Sequence, residues 1–247
     1  VHDARRPIRF LPAQRHRAKT GDGRMGAVGL DAVKARMAAA CVRAGRDTDD
    51  VTLVVVSKQR SDAEVLDVYG RGHRIFAENR QQGLEARWQA DLPPDIEWHF
   101  IGPLQRRKVP YVGTHCDLMH AMDRMSLARS WAERTDTAVL IQFNLGGEPQ
   151  KSGFAPDEAD EAMTSLLDLG LDVRGVMAIP PMSDDPGDAR RWFAELRQIY
   201  DAFADAYPFI DTCSMGMTND FEVAIEEGAT MVRIGRAIFG TAEQATG

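Results

Sequence analysis

Two kinds of hydrophobic pattern alternate along the chain from about residue 28 to residue 235. Short runs rich in β-branched and other apolar residues have the length and composition of buried β-strands. The segments between them carry apolar residues at helical spacing, and several of these segments end in glycine. The predicted strands lie at 52–57, 73–79, 97–103, 117–122, 137–145, 172–180, 208–216 and 230–235.

The predicted helices fill the intervals and add one in front of the first strand. They lie at 28–45, 62–72, 80–91, 104–112, 124–135, 156–169, 186–206 and 219–228. The helix at 104–112 is expected to break near Pro110. In the helix at 219–228, Asn219 is predicted to be the N-cap and Glu222 to complete a capping box.

Strict alternation of buried strands and helices predicts a parallel sheet. Eight such units in one chain of 247 residues predict a single (β/α)8 TIM barrel with an extra N-terminal helix. An open doubly wound sheet is the alternative. The chain has no GxGxxG after the first strand and no P-loop, which disfavours a nucleotide-binding sheet.

The composition is typical of a soluble globular protein, with 44% hydrophobic and 27% charged residues. No apolar run approaches the roughly 18 residues of a membrane-spanning helix. Cys41, Cys116 and Cys213 are far apart and form no metal-binding spacing. Three scattered cysteines indicate reduced thiols, so we expect a cytoplasmic protein, and we expect a monomer.

Charge is distributed unevenly between the N-terminal segment and the rest of the chain. Residues 1–24 carry a net charge of +5, whereas the whole chain carries −7, which leaves −12 for the remainder. The segment lacks hydrophobic periodicity, so we expect a disordered basic extension at 1–24 and a barrel domain at 25–247. The acidic body argues against a nucleic-acid function.

Candidate chemistry lies where the predicted strands end, because barrel active sites form at the carboxyl ends of the strands. Lys58 follows the first strand directly. A lysine partly removed from water loses some preference for its charged form, and the neutral amine attacks carbonyl groups. A solvated lysine at a strand end fits the position equally well, so position alone leaves its role open.

The last two units suggest an anion site. Ser214 and Gly216 precede the helix at 219–228, and Gly235 and Arg236 open a short helix after the final strand. Loops after strands 7 and 8 commonly bind phosphate in this fold. A lysine with a phosphate site suits pyridoxal phosphate (PLP), although a phosphosugar would fit nearly as well.

Six motifs carry a resemblance to a known family. They are VVVSKQR (54–60), FAENRQQ (76–82), EWHFIGPLQRRK (97–108), QKSGF (150–154), RGVMAIP (174–180) and SMGMTNDFEVAIEEGATMVRIGRAIFG (214–240). In this order they resemble the YggS/PROSC family of pyridoxal phosphate homeostasis proteins. That family shares its fold with the barrel domain of alanine racemase, and residues 1–24 lie outside the resemblance.

The resemblance implies a set of PLP-binding residues. Lys58 would form a Schiff base with PLP, and Arg233 would face the pyridine nitrogen. The phosphate would be held by Ser214, Gly216, Gly235 and Arg236. Asn79 and Met177 would line the ring. The sequence departs from the family pattern at three positions, which are Ala77, Arg80 and Arg236.

The same residues bear on catalysis. Arg233 has only donors, so it can bond only to an unprotonated pyridine nitrogen, which makes the ring a weak electron sink. Alanine racemase supplies an opposing tyrosine from a second domain, and we expect no such domain in the short segment after the last strand. None of the four tyrosines is predicted at a strand end; they are Tyr69, Tyr111, Tyr200 and Tyr207.

The leading hypothesis is therefore a PLP carrier that serves vitamin B6 homeostasis, has no catalytic residue and passes PLP to PLP-dependent apoenzymes. A single-domain amino-acid racemase and a phosphosugar enzyme are the alternatives. His99 is interpreted as a core residue, and His120 has no partner at ligand spacing, so no metal is expected. Lys151 is either a rim amine that assists transfer or a solvated loop lysine, and 106–108 is either a steering cluster or an exposed face.

Overall fold

A computed structural model describes residues 26–240, and within them parallel strands pair in sequence order around a closed barrel. The strands are β1 (Thr52–Val56), β2 (Ile75–Glu78), β3 (Glu97–Phe100), β4 (Leu118–Met122), β5 (Ala138–Phe143), β6 (Val173–Ala178), β7 (Thr212–Ser214) and β8 (Met231–Ile234). The barrel closes because β1 pairs with β8. The predicted (β/α)8 barrel is confirmed, and the open sheet is wrong.

One helix precedes the barrel and one follows each strand. They are α1 (Gly26–Ala44), α2 (Asp62–Gly70), α3 (Gln81–Gln89), α4 (Val109–His115), α5 (Met125–Ala132), α6 (Ala159–Asp168), α7 (Arg190–Ala206), α8 (Phe221–Glu226) and α9 (Arg236–Phe239). The extension predicted at 1–24 lies outside the described residues. Between residues 26 and 240, no helix is long and apolar enough to cross a membrane.

Two predicted boundaries are wrong for physical reasons. Pro110 lies in the first turn of α4 and does not break a helix, because the first turn needs no donor from the proline nitrogen. The strand predicted at 208–216 shortens to β7. Its first residues form a turn closed by the N–H of Ile210 on the carbonyl of Tyr207, and the rings of Tyr207 and Phe209 contact each other.

The helix α1 covers the outside of the barrel where the last two units meet. Of its apolar positions at helical spacing, Leu30, Val33, Met37 and Cys41 are buried and Ala44 is half-buried, and α1 packs against α8 and α9. Arg46, just after α1, donates hydrogen bonds to the carbonyls at 225 and 229, at 3.0 and 2.8 Å. These contacts fix the element that follows β7.

Ion pairs fasten the exposed side of α8 to its neighbours. Glu222 accepts from Arg36 of α1 at 2.8 Å, and Glu226 accepts from Arg43 of α1 at 2.8 Å and from Arg190 of α7 at 2.6 Å. A single exposed ion pair contributes little to stability. These pairs form a network that links α8 to α1 on one side and to α7 on the other. The loop between β7 and α8 is thereby given a fixed end.

Candidate functional site

The register of β1 decides which side chains face the interior of the barrel. Val54 pairs with Arg233, and Val56 pairs with Ala77 on the other edge. Because side chains alternate along a strand, Val54 and Val56 belong to the interior row that also carries Arg233. Lys58 lies two residues past the strand and is exposed. Position alone left open a partly buried amine and a solvated lysine at a strand end, and the exposure of Lys58 agrees with the second.

A tight turn from Ser57 to Arg60 carries Lys58. The N–H of Arg60 closes it on the carbonyl of Ser57 at 3.0 Å, and Gln59 adopts a left-handed conformation with φ of 61°. Such a conformation is unfavourable for a residue other than glycine and needs support from its surroundings. Arg87 of α3 gives that support, donating to the carbonyls of Ser57 at 3.0 Å and Arg60 at 2.7 Å.

A buried carboxylate completes this support. Glu78 is 2% exposed and accepts hydrogen bonds from the Ser57 hydroxyl at 3.0 Å and from Arg87 Nε at 3.2 Å. Burial raises the pKa of Glu78, and the Arg87 charge and the Ser57 hydrogen bond oppose that rise. Arg87 also pairs with Asp62 at the start of α2. Sequence reasoning missed this group, since nothing local connects residues 57, 78 and 87.

Arg233 lies in the interior of the barrel with 3% of its surface exposed. Its guanidinium donates from Nη1 to the Ser214 hydroxyl at 2.7 Å and from Nη2 to the carbonyl of Ala178 at 3.1 Å. Burial lowers the pKa of Arg233 to about 10, with a partial offset from Asp220. The side chain therefore remains charged at neutral pH and keeps further N–H donors for a ligand.

Two histidines continue inward from this arginine. His120 Nδ1 lies 3.1 Å from the Ser214 hydroxyl, and His120 Nε2 lies 2.9 Å from His99 Nδ1. His99 is confirmed as a hydrogen-bonded core residue. His120 does have a close partner, which its spacing in the sequence did not reveal. Within residues 26–240, no group of three or more His, Cys, Asp or Glu side chains could hold a metal ion.

The hydroxyl of Ser214 already has two partners inside the barrel. It accepts from Arg233 and contacts His120, and Ser214 is fully buried. The phosphate role that the resemblance implies for Ser214 stays a prediction. It would require this hydroxyl to compete with two existing hydrogen bonds.

The residues predicted to line the ring lie on β6 and after β2. Met177 is buried and pairs with Ser214, so it shares the interior row. Asn79 follows β2 and is half-buried. Ala77 is buried beside Val56, whereas Arg80 is exposed at the start of α3. Of the two family departures near the ring, only Ala77 belongs to the interior row.

Two glycines shape the loops after β7 and β8. Gly216 has φ of +89°, and a Cβ built there would lie 2.5 Å from the Ala224 Cβ of α8. Gly235 precedes α9, and its Cβ would lie 2.9 Å from the Val56 carbonyl oxygen. A side chain at either position would therefore strain or crowd the backbone. The loops form a close-packed cradle beside the end of β1.

The cradle includes a hydroxyl that sequence reasoning missed. Thr218 Oγ1 accepts from the N–H of Ala237 at 3.4 Å, and Arg236 Nη2 lies 3.5 Å from Asn219 Oδ1. These contacts join the loop after β7 to the start of α9. Thr218 could have been identified as the hydroxyl residue two positions after Gly216, next to the predicted anion loop.

The predicted capping of α8 by Asn219 is wrong. The helix begins at Phe221 with Asp220 as N-cap, and no side-chain capping bond forms. Asp220 Oδ1 instead accepts from the N–H of Met217 at 2.6 Å. The carboxylate therefore orders the loop in front of the helix. The side chain of Asn219 faces Arg236 instead of capping the helix.

Lys151 and the segment 106–108 have different surroundings. Lys151 pairs with Glu148 and donates to the carbonyl of Pro180 at 3.1 Å, so it ties together the loops after β5 and β6. The 3-10 turn Arg106–Lys108 is largely exposed, and its two arginines line an open groove with Arg129 of α5 and with Arg134, which follows that helix. Neither the transfer role of Lys151 nor the steering role of 106–108 is tested by these contacts.

The barrel and its rim match a known family model. The family described as alanine racemase, N-terminal domain, matches residues 28–243. The chain is thus a barrel of the alanine racemase N-terminal-domain type. A protein of Aquifex aeolicus (strain VF5) is 39% identical over 218 residues, covering 85% of this chain and 96% of its own length. One of Escherichia coli (strain K12) is 40% identical over 223 residues, covering 85% and 94%.

Both relatives are named pyridoxal phosphate homeostasis protein. The chain therefore belongs to the pyridoxal phosphate homeostasis (YggS/PROSC) family, as its motifs predicted. A solved structure points the same way. PipY of Synechococcus elongatus PCC7942, with PLP bound, has a TM-score of 0.70 and 28% identity, covering 84% of this chain and 100% of its own.

Proposed function

We propose that this protein binds PLP reversibly at the mouth of the barrel and releases it to other proteins, as a carrier in vitamin B6 homeostasis. The observation that carries the proposal is the position of Lys58, two residues past the strand whose Val54 pairs with Arg233 in the barrel interior. The names of the relatives and the PLP in the PipY structure support it.

The donor set fits PLP in chemical terms. When bound, PLP supplies an aldehyde, to which a lysine amine can bond, together with a phosphate and a ring nitrogen. Lys58 offers the amine, and Arg233 offers charged N–H donors inside the barrel. A cradle built on Gly216 and Gly235, which a Cβ would fill, leaves backbone N–H groups for an anion. The residues proposed to hold PLP are Lys58, Asn79, Met177, Gly216, Arg233, Gly235 and Arg236, and Ser214 through its hydrogen bond with Arg233.

The charge on Arg233 favours binding over turnover. Its guanidinium can only donate, so a pyridine nitrogen beside it must accept and stay unprotonated. An unprotonated ring withdraws electrons weakly, which disfavours the carbanion chemistry of racemases and transaminases. The surrounding residues keep this charge in place, since the pKa of Arg233 remains at about 10 despite burial.

A racemase would also need an acid or base facing Lys58 across the substrate. The four tyrosines lie on or just after the outer helices: Tyr69 on α2, Tyr111 on α4, Tyr200 on α7 and Tyr207 at its end. Tyr69 bonds to Asp95, and Tyr111 stacks on His115, so both have partners outside the barrel. This arrangement supports the carrier over the racemase, with no residue assigned a catalytic role.

The test is to add PLP to the purified chain, record the absorbance, reduce with borohydride and map the modified peptide. We expect one pyridoxyl group, on Lys58, and none in Lys58→Ala. Lys151→Ala is the matched control and is expected to keep the adduct. Modification at another lysine would refute the site. Rapid racemisation or transamination of alanine or serine by the loaded protein would favour the racemase.

The partners and location remain part of the proposal. We propose PLP-dependent apoenzymes as the recipients, a monomeric state, and a cytoplasmic location in keeping with the three buried unpaired cysteines. When the loaded protein is mixed with a PLP-dependent apoenzyme, the activity of that enzyme should return faster than the loaded protein releases PLP into buffer. Equal rates would argue against direct transfer.

A further inference from the structure

A continuous line of hydrogen bonds crosses the barrel interior from β8 to β3. It runs from Arg233 to Ser214 at 2.7 Å, to His120 at 3.1 Å, to His99 at 2.9 Å, and ends at Glu97 Oε1, 2.8 Å from His99 Nε2. It draws one residue each from β7 and β8, one from β4 and two from β3. The residues are far apart in sequence and meet only because the barrel closes.

With both imidazoles neutral, the chemistry of the two ends fixes the direction of every bond between them. Arg233 can only donate, and an ionised Glu97 can only accept. Ser214 therefore accepts from Arg233 and donates its hydroxyl hydrogen to His120 Nδ1. His120 Nε2–H then donates to His99 Nδ1, and His99 Nε2–H donates to Glu97. Both imidazoles then carry their hydrogen on Nε2.

Burial makes the alternatives costly. His99, His120, Ser214 and Arg233 are each no more than 3% exposed, so an unpartnered donor or acceptor among them could not turn to water. Burial, together with His99 and the Arg233 charge, lowers the pKa of His120 well below its usual value. A neutral His120 is what the bond directions require.

We propose that His99, His120 and Ser214 are positioning residues that hold the Arg233 guanidinium in one orientation by a hydrogen-bonded line anchored at Glu97. This inference rests on the proposed function, in which Arg233 meets the ring nitrogen of PLP. Because the Ser214 hydroxyl donates its hydrogen to His120, its oxygen presents a lone pair to Arg233. The second anchor of the guanidinium is the carbonyl of Ala178.

The bond directions can be tested without PLP. In the full chain carrying ¹⁵N-labelled histidine, NMR at pH 7 should give the neutral Nε2–H tautomer for both His99 and His120. His115 is an internal control with the opposite expectation, since its Nδ1 faces the Tyr111 carbonyl at 2.8 Å. An Nδ1–H tautomer or an imidazolium at His120 would overturn the proposed line.

The positioning role is tested by PLP release from the loaded protein. Ser214→Ala and His120→Leu should each release PLP about tenfold faster, the size expected when a hydrogen bond to a charged group is lost, and shift the absorbance band of the bound cofactor. The double variant should release PLP little faster than Ser214→Ala alone, because both changes break the same line of hydrogen bonds. His115→Leu, on α4, should release PLP at the wild-type rate.

Failure of the proposed function and failure of the positioning role give different results. If the wild type takes up no PLP, the proposed function fails while the NMR experiment still tests the line. If the wild type loads but a folded Ser214→Ala, checked by circular dichroism, keeps the wild-type release rate and absorbance band, the positioning role is wrong. Ser214→Ala is the smaller change, so it decides the matter if His120→Leu does not fold.

Discussion

Arg87 lies buried beneath the turn that carries Lys58 and donates a 3.0 Å hydrogen bond to the carbonyl of Ser57. The same guanidinium reaches the carbonyl of Arg60 at 2.7 Å, so one cation binds both ends of the turn. The left-handed Gln59 between them is unfavourable in isolation. The exposed Lys58, which we propose binds PLP, is thus supported from below by a buried charge.

Replacing Arg87 by Leu should lower the free energy of unfolding by about 3–5 kcal/mol, because Glu78 and two carbonyls lose their donor in a buried site. Urea unfolding at pH 7 measures this change. Arg129→Leu is the matched control, since Arg129 is an exposed arginine on α5 with no ion pair among the described residues. Its expected change is within about 0.5 kcal/mol. A loss below about 1 kcal/mol for Arg87→Leu would contradict the proposed support.

Glu78 should make stability fall as the pH rises. Burial raises its pKa, so the folded protein keeps a proton that the unfolded chain has released. The contribution is complete below the unfolded carboxyl pKa of about 4.3 and is lost as the pH passes the higher folded value. The free energy of unfolding of the wild type, measured against Glu78→Gln, should decline from about pH 4 upward. A rise instead would mean that Arg87 outweighs burial.

His73 should make stability fall as the pH falls. Burial lowers its pKa to about 4, with a partial offset from the hydrogen bond between Nε2 and the Ile75 carbonyl at 2.8 Å. The unfolded chain takes up a proton near pH 6.5, so stability is lost as the pH falls from there toward 4, by up to about 3 kcal/mol. Urea unfolding across this range should show a shallower slope for His73→Gln. Parallel slopes would contradict the burial effect.

Gly216→Ala should destabilise the cradle by about 1–3 kcal/mol, because φ of +89° is unfavourable for alanine and the new methyl group would meet Ala224. Gly70→Ala, at the end of α2, is the control, since a Cβ there meets nothing within 4 Å. Titration with PLP and with unphosphorylated pyridoxal adds a second measurement. Gly216→Ala should weaken the binding of PLP more than the binding of pyridoxal. An equal loss of affinity for both would argue against a role of this loop in binding the phosphate.

The sequence predicted the barrel because each strand carries its own local signal. The valines of β1 and the β-branched run of β8 have strand composition wherever they lie, and a glycine or a polar turn marks most element ends. The places of Lys58 and Arg233 in the barrel could be predicted for the same reason, since a residue at or near the end of a recognised strand has a known place in this fold. The family motifs added their chemical roles.

Contacts between distant residues could not be predicted in this way. The support under Lys58 joins residues 57, 78 and 87, and the line from Arg233 to Glu97 joins four strands. Local rules also failed where a tertiary contact competed. Asn219 fitted a capping pattern, but Asp220 is the N-cap residue, its carboxylate accepts from the N–H of Met217, and Arg236 lies 3.5 Å from Asn219.

The pairing of β1 with β8 also has a consequence for biosynthesis. Lys58 comes early in the chain, whereas Arg233 and the loop at Gly235 come almost at its end, and only the last strand brings them together. A nascent chain held on the ribosome therefore presents the amine long before it can present the charged partner and the anion loop. Stable capture of PLP should begin only after β8 has been synthesised and has reached β1.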